Sequence, residues 1–185
     1  MSKKKAKQFL RPEEWRKFQN EFEGSDDRSC ALVLAAYLDQ CLEVLLSHAF
    51  PNQQTSCNAV FGDQRALGTF ASKIDLAFFL NLIPESFQQD LHLIRKIRNQ
   101  FAHSLHGEAF SKSPNKDRCL SLTTPRDYPT GTDKTIAEMC RLEPRELFVF
   151  TGSVLASTLE SFCLSRAKAI TEKLRQLPTF DEPDD

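Results

Sequence analysis

The run Ala31–Phe50 is apolar almost all the way round a helix. Leu32, Val33, Leu34, Tyr37, Leu38, Leu42, Val44, Leu45 and Leu46 leave no polar face. A helix of that kind belongs at the centre of a core or inside a membrane. Asp39, Gln40 and Glu43, in the middle of the run, decide between the two. Charges at the centre of a membrane span are expensive, whereas a helical bundle can supply partners for them. The spacing therefore predicts a central core helix over about Asp27 to Ala49 and no membrane span. Gly24-Ser25-Asp26-Asp27 offers its N-cap.

The remainder of the chain suits such a core. Its 185 residues are enough for one domain, and 41 % apolar with 26 % charged residues is an ordinary globular balance. A net charge of -1 leaves no global footprint for nucleic acid, so any such binding needs a local patch. Lys3, Lys4, Lys5 and Lys7 open the chain, and Asp181, Glu182, Asp184 and Asp185 close it. Both ends read as solvated and frayed, although the lysines also suit an arm for phosphates. Six cysteines, at 30, 41, 57, 119, 140 and 163, include no Cys-x-x-Cys pair. Phe9-Leu10 is followed by Arg and Pro, not by the apolar stretch of a signal peptide. Reduced thiols and a cytoplasmic location are the expectation.

Trp15, Phe18 and Phe22 mark a short helix after Pro12. Leu67, Phe70, Ile74, Ala77 and Phe78 mark another, which stops near Asn81. From Pro84 a further helix runs to about Ser104, with Phe87, Leu91, Ile94, Phe101 and Leu105 as its stripe. The stretch 107–133 holds Pro114, Pro125, Pro129 and Gly131 and reads as a long irregular excursion, with room for a strand pair around Cys119–Leu122. A short helix over Lys134–Arg141 precedes Pro144, and a long one follows from about Arg145 to Leu174. The fold class is all-α: a single helical bundle of about five helices with one long irregular loop. Residues 1–24 form an N-terminal arm and short helix, 25–177 the bundle, and 178–185 an acidic tail.

Nucleotide-binding glycine loops, zinc-protease helices, nucleophile elbows and a helix-turn-helix reader are all absent from the sequence. No cofactor is implied. Attention falls on Ile94–Ser104, IRKIRNQFAHS. On an ideal helix Arg98 projects about 40° from Ile94, inside the apolar stripe. A guanidinium there needs a carboxylate or a cleft, since it cannot shed its charge. Asp39 and Glu43, one turn apart on the core helix, are the available acids. A structural brace from Arg98 (or Arg95) to Asp39 and Glu43 is one expectation. His92, Asn99, His103 and His106 gather on the opposite face. They have neither acid nor Cys neighbours at metal-site spacing, so no metal is expected.

Arg98-Asn99-Gln100-Phe101-Ala102-His103 also resembles the Arg-Asn-x-x-x-His signature of HEPN domains, helical bundles that often dimerise and include metal-independent endoribonucleases. The resemblance implies that His103 moves a proton, Arg98 stabilises phosphate charge and Asn99 orients one of them. Five residues apart, Arg98 and His103 point about 140° from each other on a straight helix. Shared chemistry then requires a second chain or a break near Phe101–Ser104.

A longer likeness covers about half of the chain. It comprises Tyr37-Leu38-Asp39 with Leu42-Glu43-Val44-Leu45-Leu46, Ala66-Leu67-Gly68-Thr69-Phe70, Lys73-Ile74, Leu80-Asn81-Leu82-Ile83-Pro84, Asp90-Leu91, Ile94–Ser104, Phe110 and Arg118-Cys119. In these the chain resembles the mannitol operon repressor family, with Lys73 where arginine is expected. That resemblance implies an all-helical regulator of transcription without a DNA-reading motif. Such a regulator would act through a regulatory protein partner or nucleic acid (RNA or DNA), as a homodimer in the cytoplasm, with Arg95, Arg98 and His106 as binding residues. The alternative is a HEPN-type ribonuclease using Arg98, Asn99 and His103 at a dimer interface. Arg98 sealed against Asp39 or Glu43 favours the first; Arg98 and His103 exposed at one cleft favour the second.

Overall fold

The computed structural model describes residues 12–49, 61, 65, 67–127, 134–135, 138 and 143–175. All regular structure among them is helical. The helices are α1 (Pro12–Glu23), α2 (Asp27–Ser47), α3 (Phe70–Phe79), α4 (Glu85–His103), α5 (Asn115–Leu120), α6 (Thr124–Asp127) and α7 (Pro144–Arg175). Five of them are long and two are short.

The core helix stands where its composition requires. Asp26 caps α2, its carboxylate accepting from the backbone N–H groups of Arg28 and Ser29. Cys30, Leu34, Leu38, Leu42 and Leu46 are fully enclosed. α7 is its main neighbour, with α4, α3 and α1 on other sides. Gly152 of α7 lies so close to Leu34 that a Cβ would fall 2.5 Å from Cδ2 and 2.8 Å from Cγ. Trp15 and Phe18 of α1 pack on Tyr37, with ring centroids at 5.3 and 5.1 Å. α2 and the Pro144–Ser165 part of α7 are each long and apolar enough to cross a membrane, with mean hydropathy 1.6. Here each covers the other's apolar surface.

One cluster fastens the start of α2 to distant segments. Arg145, at the start of α7, donates to Asp27 Oδ1 at 2.6 Å, to the Ser25 carbonyl at 2.7 Å and to the Phe22 carbonyl at 2.9 Å. Asp27 Oδ2 accepts the Phe110 amide at 3.0 Å. A single carboxylate thus ties α7 and the stretch after α4 to the start of α2, and Arg145 extends the tie to the end of α1.

The excursion expected over 107–133 is irregular for most of its described length, and two short helices, α5 and α6, interrupt it up to residue 127. Cys119 and Leu120 end α5, where a strand pair had room. Buried polar side chains hold the segment. Asp90 of α4, fully enclosed, accepts from Thr123 N at 2.8 Å, Thr124 N at 2.9 Å and Thr124 Oγ1 at 2.6 Å. It serves as a remote cap for α6, supplied by a helix more than thirty residues earlier. Prolines stop long helices, but short ones survive between them when tertiary contacts take up their end groups. The lysine arm, the acidic tail, residues 128–133, Cys57, Cys140 and most of the Lys134–Arg141 helix lie outside the described residues.

Candidate functional site

Asp39 and Glu43 do form a brace, but its cation is Lys73 of α3. Lys73 Nζ donates to Glu43 Oε2 at 2.8 Å and to Asp39 Oδ2 at 3.1 Å, with Asp39 Oδ1 in ionic contact at 3.0 Å. The ammonium side chain is 3 % exposed. Three groups share one largely buried contact between α2 and α3, open to water only on the Asp39 side, and their mutual attraction offsets the loss of hydration.

Arg98 is not part of it. Its side chain is exposed and donates from Nη1 to Asn99 Oδ1 at 3.0 Å. The reason is axial position. α3 and α4 run antiparallel, with Asp75 opposite Gln88 and His92 at 3.1 and 2.9 Å. On that register the start of α3 at Phe70 comes level with about residue 95. Arg98 lies past the end of its neighbour, so its angle within the stripe does not bury it. Leu105, expected in the same stripe, is 83 % exposed for the related reason that α4 has already stopped. Arg95 is half-buried, and its Nε is enclosed without an acceptor.

The histidines do not form a continuous stripe. His92 is held to Asp75 across the α3–α4 pair. His103 ends α4 and is exposed, while His106 is exposed on the turn beyond. α4 stays regular through His103, and the chain becomes extended only at Ser104 (φ -80°, ψ 130°). The 140° divergence of Arg98 and His103 therefore stands within one chain. Among the described residues, no three His, Cys, Asp or Glu side chains gather in a metal-holding group.

Behind the exposed groups is a polar hub. Glu108 accepts from Gln100 Nε2 and Asn115 Nδ2 at 3.0 Å each and from Ser104 Oγ at 3.1 Å. These hydrogen bonds, Gln100's foremost, hold its carboxyl below the usual glutamate value. Asn115 is wholly buried. Arg118 reaches back to the Lys96 carbonyl at 3.2 Å, and Arg28 of α2 donates to the Ser104 and Ala102 carbonyls at 3.1 and 3.4 Å. The end of α4 is thus fixed from α2 on one side and from α5 on the other. Elsewhere an open groove of about 590 Å³, lined by Leu45, Leu82, Ile83, Pro84 and Phe162, has no charged group in its walls.

Lys73 and Asp90 carried a sequence signal of the kind applied to Arg98. Phe70, Lys73, Ile74 and Ala77 share a face of α3, and Asp90 sits beside Leu91 and Ile94 on α4. An ion inside an apolar stripe asks for a partner. Both have one.

No protein-family model and no curated protein matches the chain. Among solved structures it is similar to the X-ray structure of the MtlR-HPr complex from Escherichia coli, at 17 % identity and a TM-score of 0.59. The likeness covers 78 % of this chain and 99 % of that one. At that identity it is a likeness of fold.

Proposed function

We propose that this protein is a helical regulator that works by binding a partner protein, and that its output is control of transcription in the cytoplasm. One observation supports the reading above others: the fold matches nearly the whole of a chain from an assembly named for two proteins, MtlR and HPr. The mannitol operon repressor resemblance from about Cys30 to Leu122 points in the same direction. So does the shape of the molecule, whose polar groups at the end of α4 sit on a fixed surface instead of in an enclosed pocket. An HPr-type protein is the first candidate partner, with nucleic acid as a further one and a homodimer as the working unit. Titration calorimetry with purified HPr, pull-down from host cells followed by reconstitution, and gel shifts with DNA and RNA test it. A protein that binds nothing in all three is not a regulator of this kind.

The second reading, a metal-independent ribonuclease, draws on Arg98 and His103 both being exposed and on Asn99 orienting the Arg98 guanidinium. It requires a second chain to complete the site. An RNA-cleavage assay comparing the wild type with His103→Ala tests it: equal activity in the two, or none in either, removes it.

A further inference from the structure

Leu105 is more exposed than any other large apolar side chain among the described residues. A lone exposed leucine is ordinary; the way this one is held is not. Arg28 fastens the Ser104 carbonyl on one side of it, and Lys112 Nζ donates to the Gly107 carbonyl at 2.6 Å on the other. Gly107 takes a φ of +80°, a conformation that L side chains rarely adopt. Ser104 is tied to Glu108 beneath. The turn has given up its freedom before any partner arrives, which removes an entropy cost from binding.

The surroundings are cationic. Between Asp90 and Asp117 the chain carries Arg95, Lys96, Arg98, Lys112 and Lys116 but a single acid, Glu108. That acid faces inward to Gln100, Ser104 and Asn115. Arg28, Arg98 and Lys112 are exposed and make no ion pair among the described residues, and the exposed His103 and His106 flank Leu105. Two copies of this face would set like charges against each other, which argues against a symmetric self-contact here. Single-stranded nucleic acid needs an aromatic platform, and Phe101 and Phe110 nearby are buried. An apolar anchor within a charged rim is the anatomy of a protein interface.

We infer that Leu105 and its cationic collar form the docking surface for a partner protein that offers an apolar pocket rimmed by carboxylates. The inference rests on the reading of this chain as a partner-binding regulator.

The test places a photo-crosslinking p-benzoylphenylalanine at position 105 of the full chain in its host cells, with position 79 as a second exposed apolar site. The expected result is one protein adduct at 105, joined through an acidic peptide and lost in the Arg98→Glu background. With that partner purified, Leu105→Asp lowers affinity by about tenfold or more, and Arg98→Glu lowers it and flattens its salt dependence. Neither side chain is buried, and unchanged circular dichroism checks that both variants fold. An RNA adduct at 105 overturns the inference. An adduct at 79 alone overturns it and leaves the regulator reading standing, whereas no adduct at either position counts against both.

Discussion

Lys73 shows how much one buried charge can decide. Its ammonium faces two carboxylates, of which Glu43 is 15 % and Asp39 31 % exposed. Removing it leaves two negative groups together in a poorly hydrated site. Lys73→Ala is expected to lose about 3 kcal/mol in urea unfolding, near the low end for breaking a buried pair because Asp39 still reaches water. The need for a cation near Asp39 and Glu43 was legible in the sequence, but its identity was not. A single-helix projection reports angle and says nothing about where a neighbouring helix ends. The thiols make a second residue-scale case. Burial raises Cys30 to about 11 and Cys41 and Cys119 to about 12, from an ordinary 9.0. The folded protein therefore keeps protons that the unfolded chain releases. Stability is fully present below about pH 9 and falls as pH rises towards 12. A pH series of urea midpoints checks this, and mass mapping after maleimide labelling at pH 7.5 should find these three thiols unmodified until denaturant is added.

At the scale of elements, helix boundaries were readable because they are written in local chemistry. Asp26 and Pro84 mark starts that the structure confirms, whereas α3, whose stripe was read from Leu67, begins only after its cap Thr69. The segment after α4 was not readable, because its order comes from elsewhere in the chain. Thr123 and Thr124 look like loop residues until Asp90 is placed beside them. Asp90→Ala should cost about 3 kcal/mol, since it orphans two backbone N–H groups and a hydroxyl. Hydrogen exchange should quicken across residues 115–127 while the amides of α2 stay slow. Equal acceleration in both places would mean that the segment is not a separable unit.

For the whole molecule, the decisive contact is α2 against α7, and at Gly152 it leaves no room for a side chain beside Leu34. Gly152→Ala must move a fully enclosed leucine or separate the helices. A loss of about 1–3 kcal/mol is expected, outweighing the helix propensity gained, and the thermal midpoint measures it. The all-helical class and the central place of α2 followed from apolar patterning, which depends on the chain's own periodicity. The candidate site was legible only in part: Arg98, His103 and His106 lie on one end of the molecule as exposed groups, with Asn99 half-buried beside them. The features that shape this end, Arg28 and Glu108, act from sequence positions with no periodic signature.

The closeness of α2 and α7 also has a consequence for synthesis. The helix most in need of cover leaves the ribosome about a hundred residues before Pro144 begins its cover, a delay of roughly 5–20 s at usual elongation rates. Throughout that interval the nascent chain displays a segment with the hydropathy of a membrane span. A chain truncated before residue 143 should therefore be recovered bound to chaperones or in inclusion bodies, and adding back a peptide spanning Pro144–Arg175 should return it to solution.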